Sequence, residues 1–214
     1  MIMRRALTGF LIRLIFVVIG VLLPFWAMVR MALIAVIEWS WSPWLAMLLG
    51  VTVSAFMLWI YSIALFSTVF KSIPGPKFFT RTFWGMLVVC LCYTLPATLF
   101  LSAEHAKHDE VQTEFRDLHP ILRLSVSSMA IFDAGMIVTD ASRNLSDYAD
   151  MGLKENSYSQ HLIQDDGYAH AIDIRTHGRS EVINFFVRWS FEGMGFETLR
   201  HTGTEDHLHI GMPK

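Results

Sequence analysis

Residues 171–210 read AIDIRTHGRSEVINFFVRWSFEGMGFETLRHTGTEDHLHI. Ala171–Ile174 reads as a short strand. Glu181–Phe191 follows with Val182, Ile183, Phe185, Phe186 and Trp189 at helical spacing, which predicts an amphipathic helix. Phe196–Leu199 and His207–Ile210 read as two further strands, divided by a turn at Gly203. A strand, a helix and two strands in that order predict an α+β domain with a small antiparallel sheet.

Upstream, Pro120 suits a helix start. Leu122, Val126, Met129 and Phe132 continue it at helical spacing, and Gly135 closes it. Met136–Thr139 reads as a short strand and Leu145–Met151 as a brief helix. The domain is therefore expected over 119–214, about 95 residues, enough for one modest core. Glu104–Leu118 is charged and polar, with Val111 and Phe115 four apart. It predicts a solvated linker helix over 104–118.

The first 103 residues are a different kind of chain. They hold seven Lys/Arg and one acid, Glu38, whereas the remaining 111 hold ten Lys/Arg and eighteen acids. All nine histidines lie at or after His105. A bilayer core needs about 20 apolar residues in a helix. Three stretches qualify, at about Ala6–Val29, within Trp39–Phe70 and at Phe83–Ala103. Met31–Ile37 either extends the first or lies in the interface with Trp39, Trp41 and Trp44. Residues 1–103 are thus expected to be an all-α membrane anchor of three helices in contact with the lipid bilayer. None of the spans carries an acid or a histidine, so transport chemistry is not expected within them. Cys90 and Cys92 sit in an apolar run and read as small buried side chains. With no cysteine after them, no disulfide framework supports the rest.

Basic residues set the expected orientation. Arg4 and Arg5 precede the first span, and Lys71, Lys77 and Arg81 fill the loop between the second and third. Both clusters inside place the amino terminus in the cytoplasm and the carboxy-terminal domain outside the inner membrane. That domain is acidic, which argues against nucleic acid as a partner.

Metal chemistry is suggested by three segments. They are Ser159-Gln160-His161, Gly167-Tyr168-Ala169-His170-Ala171-Ile172-Asp173 and Glu205-Asp206-His207-Leu208-His209. A catalytic zinc site takes three protein ligands and keeps one position for water, and a nearby carboxylate moves the proton. His170 is a rival ligand, but in a strand it faces away from Asp173.

These segments resemble the zinc D,D-peptidases, a group that includes D-Ala-D-Ala carboxypeptidases, vancomycin-resistance dipeptidases, phage L-alanyl-D-glutamate endolysins and the hedgehog signalling domain. The resemblance covers roughly residues 119–212. It rests on the S-x-H of Ser159 and His161, the A-x-D of Ala171 and Asp173, and the H-x-H of His207 and His209. It implies a hedgehog/D,D-peptidase-like zinc domain with His161, Asp173 and His209 as ligands of Zn2+. The segment Val138-Thr139-Asp140-Ala141-Ser142-Arg143 resembles the one carrying the family's substrate-polarising arginine, so Arg143 would bind the scissile carbonyl or its oxyanion. Ser159 would help bind substrate. The family's base lies three residues before the last ligand, which points to Asp206; strand periodicity points instead to Glu205. His207 would donate a hydrogen bond beside the metal. His161 and Asp173 are twelve positions apart here, against seven in the family, so residues 162–166 are expected to bulge as a loop. His105, His108, His119, His177 and His201 fit no motif.

The implied activity is a membrane-anchored zinc peptidase acting on peptidoglycan stem peptides, as a D,D-carboxypeptidase or an L-alanyl-D-glutamate endopeptidase. Two alternatives are a non-catalytic zinc domain that binds peptidoglycan, and a phage-type lysis protein whose helices also permeabilise the membrane.

Overall fold

Prolines begin the two longest helices, where a missing N–H costs nothing. The computed structural model describes residues 20, 22–72, 74–150, 152, 154, 156–203 and 206–213. Helix α1 spans Leu22–Ile37, α2 Pro43–Phe70 and α3 Pro76–Leu99. Both α2 and α3 are long and apolar enough to cross a membrane. The expected first span, 6–29, lies mostly outside the described residues. Met31–Ile37 continues α1 without a break, the first of the two expected placements. The third helix begins seven residues earlier than expected, because Pro76 supplies a better start than Phe83.

Close contact holds the three helices together. Gly50 of α2 lies against the Met28 backbone of α1, with no room for a Cβ. The Thr94 hydroxyl of α3 donates to the Met28 sulfur at 3.6 Å. Basic Lys71 and Lys77 sit at the α2–α3 turn, the far end of the hairpin from residues 100–213.

The single solvated helix expected over 104–118 is not formed. The chain instead makes a 3-10 turn (Ala103–His105), a short helix α4 (Asp109–Glu114) and a second 3-10 turn (Phe115–Asp117). Val111, Phe115 and Leu118 are buried in the main core. Burial of these three apolar side chains outweighs the polar composition of the segment.

Helix α5 (Pro120–Phe132) begins at His119, whose Nδ1 accepts from the Ile121 N–H. It is buried along most of its length and packs on α3 and α2. The remaining elements are β1 (Val138–Asp140), α6 (Leu145–Asp150), β2 (Ala171–Arg175), α7 (Glu181–Met194), β3 (Glu197–His201) and β4 (His207–Gly211). Each lies within a few residues of its expected place.

The sheet has the order β1-β2-β4-β3 and is antiparallel throughout. Asp173 pairs directly with His209 and Arg175 with His207. Alternation along the strands then sorts the two faces. Ile172, Ile174, Leu208 and Ile210 point into the core with Val187, Phe191 and Met194 of α7. Asp173, His207 and His209 point to the other face. The α+β class and small antiparallel sheet are therefore as expected.

Helix α7 is less conventional. The apolar residues that mark it in the sequence do not face the core: Val182, Ile183, Phe185, Phe186 and Trp189 are all exposed. A different set, Asn184, Val187, Phe191 and Met194, is buried.

Candidate metal centre

Three chain segments deliver one group. Asp173 comes from the middle of β2 and His209 from its direct partner position on β4. His161 comes from the irregular segment before β2. The twelve-residue separation from Asp173 is absorbed by a tight turn. Gln164 N donates to Tyr168 O and Gly167 N to Gln164 O, both at 2.9 Å, and Ile163 bridges Ala169. Gly167 takes a positive φ of 84° there, which glycine adopts without strain. The extra residues fold back on themselves, and His161 returns to the same face as Asp173.

His209 Nδ1 lies 2.8 Å from Asp173 Oδ1, His161 Nε2 lies 3.4 Å from the same oxygen, and the two nitrogens are 3.2 Å apart. Four-coordinate zinc with bonds of about 2.0–2.1 Å places its ligand atoms about 3.3 Å from one another. The 3.2 and 3.4 Å spacings fit that arrangement, and the 2.8 Å contact is of hydrogen-bond length and would open to admit an ion. His161 Nδ1 lies 2.9 Å from the Ala141 carbonyl. As donor to that oxygen it leaves the Nε2 lone pair aimed at the site, the outer hydrogen bond that metal-binding histidines use. Among the described residues this is the one group of three that can hold a metal ion. Two imidazoles and a carboxylate suit zinc but do not exclude other divalent ions.

Asp173 has a second oxygen, and it gathers the neighbours. Arg143 Nη2 and His207 Nε2 each lie 3.6 Å from Asp173 Oδ2. Arg143 is itself held by Asp140, through Nε at 2.5 Å and through Nη2. Its backbone N–H donates to the His161 carbonyl at 2.9 Å. The Ser159 hydroxyl accepts the His161 N–H at 3.3 Å, so it shapes the turn that carries the ligand. An open cavity of about 1290 Å³ lies over the group, and Ser159, Arg143 and Asp206 are in its wall.

Asp206 sits at the entry to β4, but its carboxylate is already engaged. Thr176 Oγ1 donates to it at 2.6 Å and Arg200 at 2.9 and 3.1 Å. Those bonds, the Arg200 pair first, hold the carboxyl at about 2. Glu205, the other expected base, lies outside the described residues. His170 points away from the group, to Asp166 Oδ2 at 2.9 Å.

Other groups contribute in ways that the sequence does not signal. Asp140 positions Arg143, and the Ala141 carbonyl orients His161. Glu114 of α4 also lines the cavity. Burial first, and then repulsion from Asp140, Asp147, Glu110 and Asp117, push its carboxyl up to about 6. His108, His177 and His201, which fit no motif, line the cavity as well. Only the folding of α4 against β1 could have placed Glu114 and His108 there.

Burial works against a charged His161, but the hydrogen bond and charge of Asp173 outweigh it and raise the ring above the ordinary histidine value. Burial likewise pushes Asp173 up, but bonds from His161 and His209 outweigh it and hold the carboxyl well below its usual range. Without metal, the raised His161 stabilises the fold below about pH 6.5 and loses that effect as pH rises through its own value. The lowered Asp173 stabilises above about pH 3.9 and loses it on acidification. A metal must displace the His161 proton, so its binding strengthens with pH. The rise in melting temperature on adding zinc is therefore expected to be larger at pH 8 than at pH 6, by scanning calorimetry. An equal or smaller rise at pH 8 would count against these ligands.

No protein-family model matches the chain, and no curated protein or solved structure resembles it at a significant level.

Proposed function

We propose that the chain is a membrane-anchored zinc peptidase that cleaves peptidoglycan stem peptides, on a hedgehog/D,D-peptidase-like domain. The observation that carries this reading is the convergence of His161, Asp173 and His209 at ligand spacing, beside Arg143 and in one cavity with Asp206. His161 Nε2, Asp173 Oδ1 and His209 Nδ1 would hold the ion. When bound, zinc supplies a Lewis acid and a water whose pKa falls to about 7.

The chain's own groups have distinct tasks. Asp206 accepts the water's proton and passes it to the leaving amine. Arg143, fixed by Asp140, stabilises negative charge that develops on the scissile carbonyl oxygen. His207 stands beside Asp173 as a further hydrogen-bond donor. Ser159 holds the backbone turn of His161 and presents its hydroxyl at the cavity wall.

The membrane reading places α2 and α3 across the inner membrane as the anchor. The basic turn at Lys71 and Lys77 and the sheet domain stand at opposite ends of that hairpin. With the basic turn inside, the domain reaches the periplasmic side, where mature peptidoglycan lies.

A second reading is a non-catalytic zinc domain that binds wall peptides. The Arg200 and Thr176 bonds favour it, because a carboxyl held at about 2 is a weak proton acceptor. Digestion separates the two. The full chain in detergent micelles is incubated with purified peptidoglycan, with zinc or with a chelator, and the products are weighed by mass spectrometry. Loss of a terminal D-Ala or scission of L-Ala–D-Glu, stopped by chelator and restored by zinc, is expected. Intact stems in the presence of metal-loaded protein would leave only the binding reading.

A further inference from the structure

Helix α7 is apolar on two sides. Val187, Phe191 and Met194 face the sheet. Val182, Phe185, Phe186 and Trp189, at the i, i+3, i+4, i+7 spacing of one stripe, face outward and are 63, 61, 56 and 42% exposed. A helix apolar on both sides is covered on both in its working environment. Ile131 and Phe132, at the end of α5, are exposed as well, at 66 and 65%.

The place of α7 along the helical hairpin says what covers it. Trp189 packs edge-on against Trp26 of α1, with ring centres 4.7 Å apart. The next residue down, Phe25, meets Tyr93 of α3 at 6.4 Å, and the Tyr93 hydroxyl bonds Ser128 of α5. So Trp189 of α7 and Ser128, one turn before the end of α5, lie near the level of Tyr93. Tyr93 stands seventeen positions beyond Pro76 in α3. At about 1.5 Å per residue that is roughly 26 Å from the basic turn. The hydrocarbon core is about 30 Å thick. The exposed stripe therefore falls within the far boundary of the same slab that α2 and α3 cross. Arg30, one turn above Trp26, lies over Gly195 at the carboxy-terminal end of α7. A cation there suits both the helix end and a phospholipid headgroup.

We propose that the outward stripe of α7, continued by Ile131 and Phe132, is a lipid-embedded face that seats the domain on the outer surface of the bilayer. The proposal rests on the reading of α2 and α3 as membrane-crossing. It also sets the order of layers: lipid, α7, sheet, metal centre. Because Asp173 and His209 occupy the sheet face away from α7, the cavity opens away from the membrane.

The test uses the full chain with Cys90→Ala and Cys92→Ala, reconstituted into phosphatidylcholine/phosphatidylglycerol vesicles. An environment-sensitive fluorophore is attached at Phe185→Cys, at Leu65→Cys within α2, or at Tyr158→Cys on the far side of the domain. These side chains are 61, 66 and 90% exposed, so the label need not disturb packing. The Phe185 probe is expected to emit to the blue of the Tyr158 probe. Spin-labelled lipid near the headgroup should quench it at least half as strongly as the Leu65 probe, while aqueous iodide spares it. Iodide quenching equal to that at Tyr158 overturns the proposal. Protection from both quenchers, with Leu65 quenched by lipid, also overturns it and assigns the stripe to a protein partner or a second copy. A Leu65 probe that lipid does not quench refutes the membrane reading itself.

Discussion

Asp173→Ala is expected to abolish metal binding. The carboxylate is the one negatively charged ligand of the three, and it is 4% exposed. Its Oδ1 meets both histidines and its Oδ2 faces Arg143 and His207. Removing it leaves two imidazoles beside the Arg143 guanidinium with no anionic ligand between them, a poor host for a cation. Loss of an outer-shell partner already costs about 10–100-fold in affinity, so the loss should exceed about 100-fold. Elemental analysis after dialysis, with calorimetric titration of zinc, gives the readout. The variant should also lose stability, because His161 keeps its burial and loses its carboxylate; an unsatisfied buried polar group costs about 1–3 kcal/mol. If Asp173→Ala still bound one equivalent of zinc with native affinity, the assignment would be wrong.

The second large effect belongs to Asp206. Asp206→Asn keeps the side chain's shape and its bond from Thr176 but removes the proton acceptor. Peptide cleavage should fall by about 10²–10⁴-fold, the usual contribution of a positioned base, while zinc content stays at one equivalent. Arg200→Ala provides the opposite control. Freed from that partner, the Asp206 carboxyl should rise from about 2 towards the ordinary value of about 3.9. The acid limb of the pH–rate profile would then move upward. Cleavage by Asp206→Asn at the native rate would transfer the role to Glu205 or remove it altogether.

Much of the centre was legible because it lies in short, regular strands. Alternation puts His207 and His209 on one face, and the same rule rejects His170 beside Asp173. The turn at residues 163–169 was legible only as a surplus of five residues; its closure depends on backbone bonds that any side chains could make. The Ala141 carbonyl has no signature at all, since every residue carries one. Asp140 was in view as part of the arginine segment, but its grip on Arg143 depends on how the chain bends after β1. The linker failed for a different reason. Polar composition predicts a solvated helix, yet Val111, Phe115 and Leu118 suffice to bury one side of 104–118. For α7 the sequence shows an apolar helix without showing that the more conspicuous stripe faces outward.

The direct pairing of Asp173 with His209 also bears on how the sheet assembles. Strands β2 and β4 meet through five residues on each side. A slip of one position would turn Leu208 and Ile210 into the cavity and drive His207 and His209 into the core. Only the native alignment offers a cation its ligands, so the ion adds free energy to that alignment alone. On the proposed metal-binding reading, metal supply would act as a proofreader of strand pairing: scarcity should lower the yield of correctly folded chains.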